Sequence, residues 1–200
     1  MELFVRNIRL TFAVIVAIVA MIFAGCEEGD GDADFGFAHI YMSQATYTGL
    51  DNTYPVPGGA GENTFNFKVE TLPNGNPDKL QIILGVTRSG KISGAKGFTV
   101  NVYVLQITDD TLGELGDNVE RMPSTMYTLP DRATVEAGTN SSAFYLTVDV
   151  AQLTSIVYSG KRLVLAVGIS NPTEYELAEN NTYVIVDVDV DAMIDIFLEM

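Results

Sequence analysis

A chain with a single cysteine and a single histidine has few routes to covalent or metal chemistry. Cys26 is the only thiol and His39 the only imidazole in 200 residues. Hydrolase triads and zinc sites both lean on histidine, and no Gly-x-Ser-x-Gly elbow accompanies this one. A lone histidine near the start of the first strand reads as a packed or surface residue. Carboxylate pairs for glycoside cleavage need only meet in space, and no spacing here nominates a pair. The reading is that of a protein without catalytic residues, cofactor or metal.

Three segments approach known motifs and miss. Gly85-Val86-Thr87-Arg88-Ser89-Gly90-Lys91 nearly spells a phosphate loop, but Ile92 stands where Ser or Thr would hold magnesium. No helix signal follows to point its N-terminus at phosphates. Asp30, Asp32 and Asp34 start like a calcium loop, yet Phe35 takes the glycine position and Tyr41 the final glutamate position. Asp187, Asp189 and Asp191 alternate along the last strand, which predicts a solvated ladder of like charges that blocks edge-to-edge pairing.

One region has the residue types of a sugar platform. Tyr41, Tyr47 and Tyr54 could stack on pyranose rings, with Gln44, Asp51 and Asn52 supplying hydrogen bonds. The same residues would also serve ordinary strand and loop packing, and tryptophan is absent from the chain.

Charge excludes another class. The formal net charge is −15, and residues 1–25 hold only Arg6, Arg9 and Glu2, so the chain from Cys26 onward carries −16. Phosphate backbones are bound by Lys and Arg that release counterions. No basic stripe exists here, so nucleic acid is not an expected partner.

The N-terminus reads as an address. Arg6 and Arg9 precede an uncharged run from Leu10 to Ala24, 15 residues long. That is the length of a signal-peptide core, and short of the roughly 20 residues of a membrane span. Ile22-Phe23-Ala24-Gly25-Cys26 then looks like a lipobox, with Phe23 in place of the usual leucine. Residues 1–25 are therefore expected to be a lipoprotein signal peptide, and Cys26 the lipidated residue. Glu27, Glu28, Asp30, Asp32 and Asp34, interleaved with glycine, make residues 26–34 a flexible acidic tether. Acidic residues just after such a cysteine resemble the surface-export signal of Bacteroides-type lipoproteins. That resemblance implies an outer-membrane, lipid-anchored protein on the cell surface.

Behind the tether the hydropathy has period two. Phe65, Phe67 and Val69 alternate with polar residues, as do Leu80 to Val86, Val100 to Val104, Phe144 to Val150, Leu163 to Ile169 and Val184 to Val190. Alternation of this kind predicts half-buried antiparallel strands. Pro-Gly and Asn-Gly clusters, Asp109-Asp110 and Ser159-Gly160 separate them as turns. About seven strands with little helix read as an all-β sandwich. Short helices are expected at Val150–Tyr158 and near Met193–Phe197. The domain is drawn over 35–192, with 193–200 as a C-terminal tail.

Several segments together resemble a known family. Ile40-Tyr41-Met42-Ser43-Gln44-Ala45, Tyr127-Thr128-Leu129-Pro130, Thr134-Val135-Glu136-Ala137-Gly138 and Gly160-Lys161-Arg162-Leu163 follow its strand-and-turn order. The pattern, over roughly 35–190, is similar to the Ig-like N-terminal domain of unknown function in Bacteroides-type surface lipoproteins associated with glycan uptake. The resemblance implies an Ig-like antiparallel sandwich. It also implies either glycan binding, or support of a glycan-capture complex. A structural or adhesive module that meets a protein partner at the outer membrane is the alternative. The family lends no catalytic residues.

Overall fold

The computed structural model describes residues 38–46, 48, 52–58 and 65–200. The signal peptide, Cys26 and the acidic tether lie outside the described residues, as do Tyr47 and Asp51. Among the described residues no helix is long and apolar enough to cross a membrane.

The strands are β1 (His39–Met42), β2 (Thr53–Val56), β3 (Phe67–Thr71), β4 (Pro77–Arg88), β5 (Phe98–Leu105), β6 (Val119–Arg121), β7 (Tyr127–Thr128), β8 (Arg132–Val135), β9 (Ser141–Asp149), β10 (Arg162–Ser170), β11 (Glu176–Leu177) and β12 (Tyr183–Asp189). They form two six-stranded sheets. The first runs β11-β1-β4-β9-β7, with β3 also on β4; the second runs β2-β12-β10-β5-β8, with β6 also on β10. The expected β-sandwich is what forms. It has twelve strands rather than about seven, and the sheets are mixed: β1/β11, β10/β6 and β12/β2 are parallel pairs. The additional strands are two to four residues long, too short for a period of two to show in sequence.

The core is the inner face of each sheet. Leu80, Ile82 and Leu84 of β4 sit in register with Val148, Leu146 and Phe144 of β9. Leu163, Leu165 and Val167 of β10 match Val188, Val186 and Val184 of β12. All are buried, each contributing about 1.5–3 kcal/mol for a Val, Leu, Ile or Phe removed from water. β10 departs from simple alternation. Val164 and Ala166 are buried as well, on the outer face, where they form a second small cluster with Ile107 and Ile185. The unbroken apolar run from Leu163 to Val167 is the mark of a strand covered on both sides.

The cover is helix α1 (Asp109–Leu115), which lays Leu112 and Leu115 on that cluster. Asp109-Asp110 is therefore a helix start rather than a turn. Thr108 caps it, its hydroxyl accepting from the Thr111 amide at 3.2 Å. Seven residues are too few for a 3.6 period to declare itself. The Val150–Tyr158 segment splits into α2 (Val150–Leu153) and a 3-10 turn at Ile156–Tyr158. Asp149 caps α2 through the Gln152 amide at 3.0 Å and accepts from Lys79 Nζ at 2.7 Å. The Lys79 hydrogen bond, ahead of the backbone ones, holds the Asp149 carboxyl below the usual carboxylate range.

The final helix, α3, spans Val190–Glu199. Met193 is fully buried in the main core, so a boundary at 192/193 cuts an element that belongs to the sandwich.

The aspartate ladder is also revised. Asp187 is 3% exposed and paired with Arg162. Asp189 caps α3, accepting from Ala192 N at 3.0 Å, and Asp191 lies inside α3 and accepts from Gly160 N at 3.0 Å. Each carboxylate has its own donor, which offsets the repulsion among three acids spaced two apart. The Gly85–Lys91 segment likewise finishes β4 and turns. The buried Arg88 donates to Ser89 O at 2.9 Å and to Asn140 Oδ1 at 2.6 Å, and its guanidinium lies 4.9 Å from the Tyr175 ring centre.

Candidate functional site

Of the six residues expected to form a platform over 41–54, the four that are described, Tyr41, Gln44, Asn52 and Tyr54, do not come together on the surface. Gln44 and Tyr54 are buried. Gln44 Nε2 and the Tyr54 hydroxyl both donate to Ile83 O at 3.3 Å, and Gln44 Oε1 accepts from Gly85 N at 2.9 Å. These bonds tie the 3-10 turn Ser43–Thr46 and strand β2 to the middle of β4. A buried amide or phenol must find a partner inside the protein, and here it does, so neither can meet a sugar. Tyr41 is half-buried opposite Thr87 in the first sheet. Asn52 is half-buried with φ +55°, and its carbonyl accepts from Ile185 N of the second sheet at 2.8 Å. The two therefore serve different sheets.

The residues that do converge are on the second sheet. β10 shares one edge between two strands: β5 pairs with Ala166–Ser170 and β6 with Arg162–Val164. Between them the sheet forks, and a cleft of about 660 Å³ opens there. Val164, Leu165 and Ala166, all buried, line it on the β10 side, while Gln106, Thr108, Asp109, Arg121, Ser124 and Tyr127 bring polar groups. The volume falls within the usual range for small-ligand sites, roughly 300–1,000 Å³.

The fork has a local cause. β8 pairs with β5 only from Phe98 to Asn101, with one further bond from Val102 N to Asp131 O at 2.9 Å. Past that point β5 loses its outer partner. Val104, inward by alternation, is consequently 42% exposed.

One residue before the cleft, Tyr103 lies on the outer face. It is 41% exposed and directly opposite Gly168. A β-carbon on Gly168 would sit 3.1–3.2 Å from the Tyr103 ring and 2.6 Å from Leu105 Cδ1. Gly168 is thus the vacancy into which the ring is laid. Tyr183 faces the same glycine from β12, two strand spacings or about 10 Å from Tyr103. The Tyr103 ring thus packs close to the glycine backbone beside Leu105, with part of the residue left exposed.

Arg121 organises the polar rim. Its Nε donates to Ile107 O at 2.9 Å and its Nη2 to Asp109 Oδ1 at 2.5 Å. The Asp109 side chain is almost fully exposed. Among the described residues no three His, Cys, Asp or Glu side chains gather as a metal-binding group. Sequence reasoning passed over this site because its parts come from 103–109, 121–127 and 164–168. The available signal was Tyr103, an aromatic on the polar phase of the Val100-Val102-Val104 alternation.

The model of an N-terminal-domain family matches residues 40–176. The chain belongs to that family. No curated protein matches the sequence. Among solved structures the fold recurs in Bacteroides proteins. A Bacteroides ovatus protein described as a candidate carbohydrate-binding protein aligns with 10% identity and a TM-score of 0.50, over 76% of this chain and 36% of that one. Two further Bacteroides ovatus proteins of unknown function align at TM-scores of 0.48. One has 16% identity over 75% of this chain and 46% of its own. The other has 14% identity over 76% and 52%. This chain therefore spans between about a third and half of these neighbours' lengths. At such identities the likeness is one of fold alone.

Proposed function

We propose that this is a non-catalytic, lipid-anchored surface domain that binds glycan on its second sheet, alone or within a larger capture complex. The observation that carries the reading is Tyr103 laid on Gly168 beside an open cleft whose rim holds an amide, hydroxyls and one charged pair. Sugars are bound by stacking their C–H faces on aromatic rings and hydrogen-bonding their edges, and this arrangement supplies both. The description of one structural neighbour as a candidate carbohydrate-binding protein agrees with it.

Lipid on Cys26 supplies the anchor in this reading, since several acyl chains at about 0.8 kcal/mol per buried CH₂ hold stably where one does not.

Two experiments test it. Affinity electrophoresis of the full chain in detergent, through gels containing a panel of polysaccharides, should show retardation on at least one glycan. Tyr103→Ala should weaken that binding about ten-fold or more, the loss of roughly 1.5–3 kcal/mol of ring contact. Retardation that survives Tyr103→Ala unchanged would remove the platform from the site. Separately, Cys26→Ser should free the protein from membranes without detergent; continued membrane retention would sink the anchor.

A protein partner is the second reading. The edge of β5 beyond Asn101, unpaired by β8, is the kind of edge to which an extended segment can add as a strand.

A further inference from the structure

We propose that the cleft takes a neutral sugar unit bearing a vicinal diol, with its two hydroxyls bridging Asp109 and Arg121. The inference rests on the glycan reading of this cleft and narrows it to a chemical class.

What the pair can donate and accept limits what it can bind. An ionised Asp109 only accepts hydrogen bonds, and Arg121 only donates them. Arg121 spends Nε on Ile107 O and Nη2 on Asp109, which leaves Nη1 to donate to a ligand. Asp109 has one oxygen engaged and an open side chain. A diol matches this pair because each hydroxyl both donates and accepts. One can donate to Asp109 while its neighbour accepts from Arg121, and nothing already bonded need break. A uronate or sulfate only accepts. It could satisfy Arg121, but it would set a second negative charge against Asp109, which already neutralises that arginine. Its alternative is to displace Asp109 outright.

The surroundings push the same way. Among the described residues lining the cleft, Arg121 and Asp109 are the only charged ones, and their charges cancel. From residue 37 onward the chain carries −11, nine Lys and Arg against twenty Asp and Glu, and a field of that sign keeps polyanions away. The β10 residues at the back of the cleft, Val164, Leu165 and Ala166, are apolar and buried and offer nothing to an anion. An exposed ion pair of this kind contributes only about 0–1 kcal/mol to stability. The pair can therefore tilt onto a ligand at little cost.

The test uses the full chain in detergent, in gels containing a neutral β-glucan, starch, a galactomannan, polygalacturonate or chondroitin sulfate at physiological salt. Expected is retardation by at least one neutral polysaccharide and by neither acidic one. Asp109→Asn keeps the side-chain shape at an exposed position, and an unchanged melting temperature would verify its folding. This variant should bind the neutral glycan about ten-fold more weakly and gain retardation on polygalacturonate, since Arg121 is then unneutralised. Retardation of the unsubstituted chain by an acidic glycan would overturn the neutral class and leave the glycan reading standing. Neutral binding that is lost in Tyr103→Ala but intact in Asp109→Asn would overturn the diol bridge alone. Retardation by none of the five would overturn both.

Discussion

Replacing Asp187 by Ala should lower stability by about 2–3 kcal/mol, the largest loss expected from any single polar side chain here. Arg162 binds this carboxylate twice, through Nε at 3.0 Å and through Nη2. Its remaining nitrogen, Nη1, donates to Leu115 O at 3.1 Å, at the end of α1. The hydrogen bonds to Asp187 hold the guanidinium above the ordinary arginine range. Removing one partner of a fully buried pair typically costs about 3–5 kcal/mol, because the other charge stays behind uncompensated. Asp187 is 3% exposed but the Arg162 side chain is 38% exposed, so water recovers part of that cost. For a domain of this size the loss corresponds to a drop of roughly 4–12 °C in melting temperature. Asp187→Asn, which keeps one acceptor, should fall between. The double change Arg162→Met with Asp187→Leu should recover most of the stability, as apolar replacements of buried pairs commonly do. If Asp187→Ala melts within a degree or two of the unsubstituted chain, the pair is neutral and α1 is held by its leucines alone.

That pair also explains where reading by pattern stops. Asp187, Asp189 and Asp191 have the spacing of a solvated ladder, and only the register between β10 and β12 reveals otherwise. Val164 is opposite Asp187 and Arg162 opposite Asp189, so Arg162 reaches Asp187 on the diagonal, within range of a long side chain. The last aspartates are then at a strand-to-helix junction. Period two reports which residues face the core; it is silent on what an outward residue meets. The long strands β4, β9, β10 and β12 were legible because each carries three or more inward apolar residues. The short strands and α1 were not, since hydrogen bonds to neighbours define them more than any internal pattern. Gln44 and Tyr54 looked like surface recognition groups by type, yet the 3-10 turn at Ser43–Thr46 folds them onto Ile83 O. The cleft was least legible. It exists because two strands share one edge of β10, a property of topology that no window of sequence contains.

Gly168→Val should abolish most glycan binding while leaving the sandwich folded. The position is unusual in β10, a glycine inside an otherwise apolar central strand. Glycine weakens a strand interior unless something must approach the backbone closely. Here the Tyr103 ring does, with Leu105 beside it. A valine would drive its methyl groups into both side chains, and they would have to stand away from the sheet. The far ends of Leu and Tyr can move, so the stability cost is that of a moderate overpacking, about 1–3 kcal/mol. The consequence for binding is larger. Tyr103 can no longer pack against the backbone at 168, so its ring is displaced from the proposed platform, and Leu105 is pushed toward the cleft it lines. Affinity electrophoresis should show retardation falling at least as far as in Tyr103→Ala, although the tyrosine itself is still present. Gly168→Ala should be intermediate, since a single β-carbon displaces the ring by only a few tenths of an ångström. Undiminished binding in a folded Gly168→Val protein would mean that Tyr103 merely fills the gap over a glycine. The ligand surface would then have to be sought at the open edge of β5, where a protein segment is the better fit.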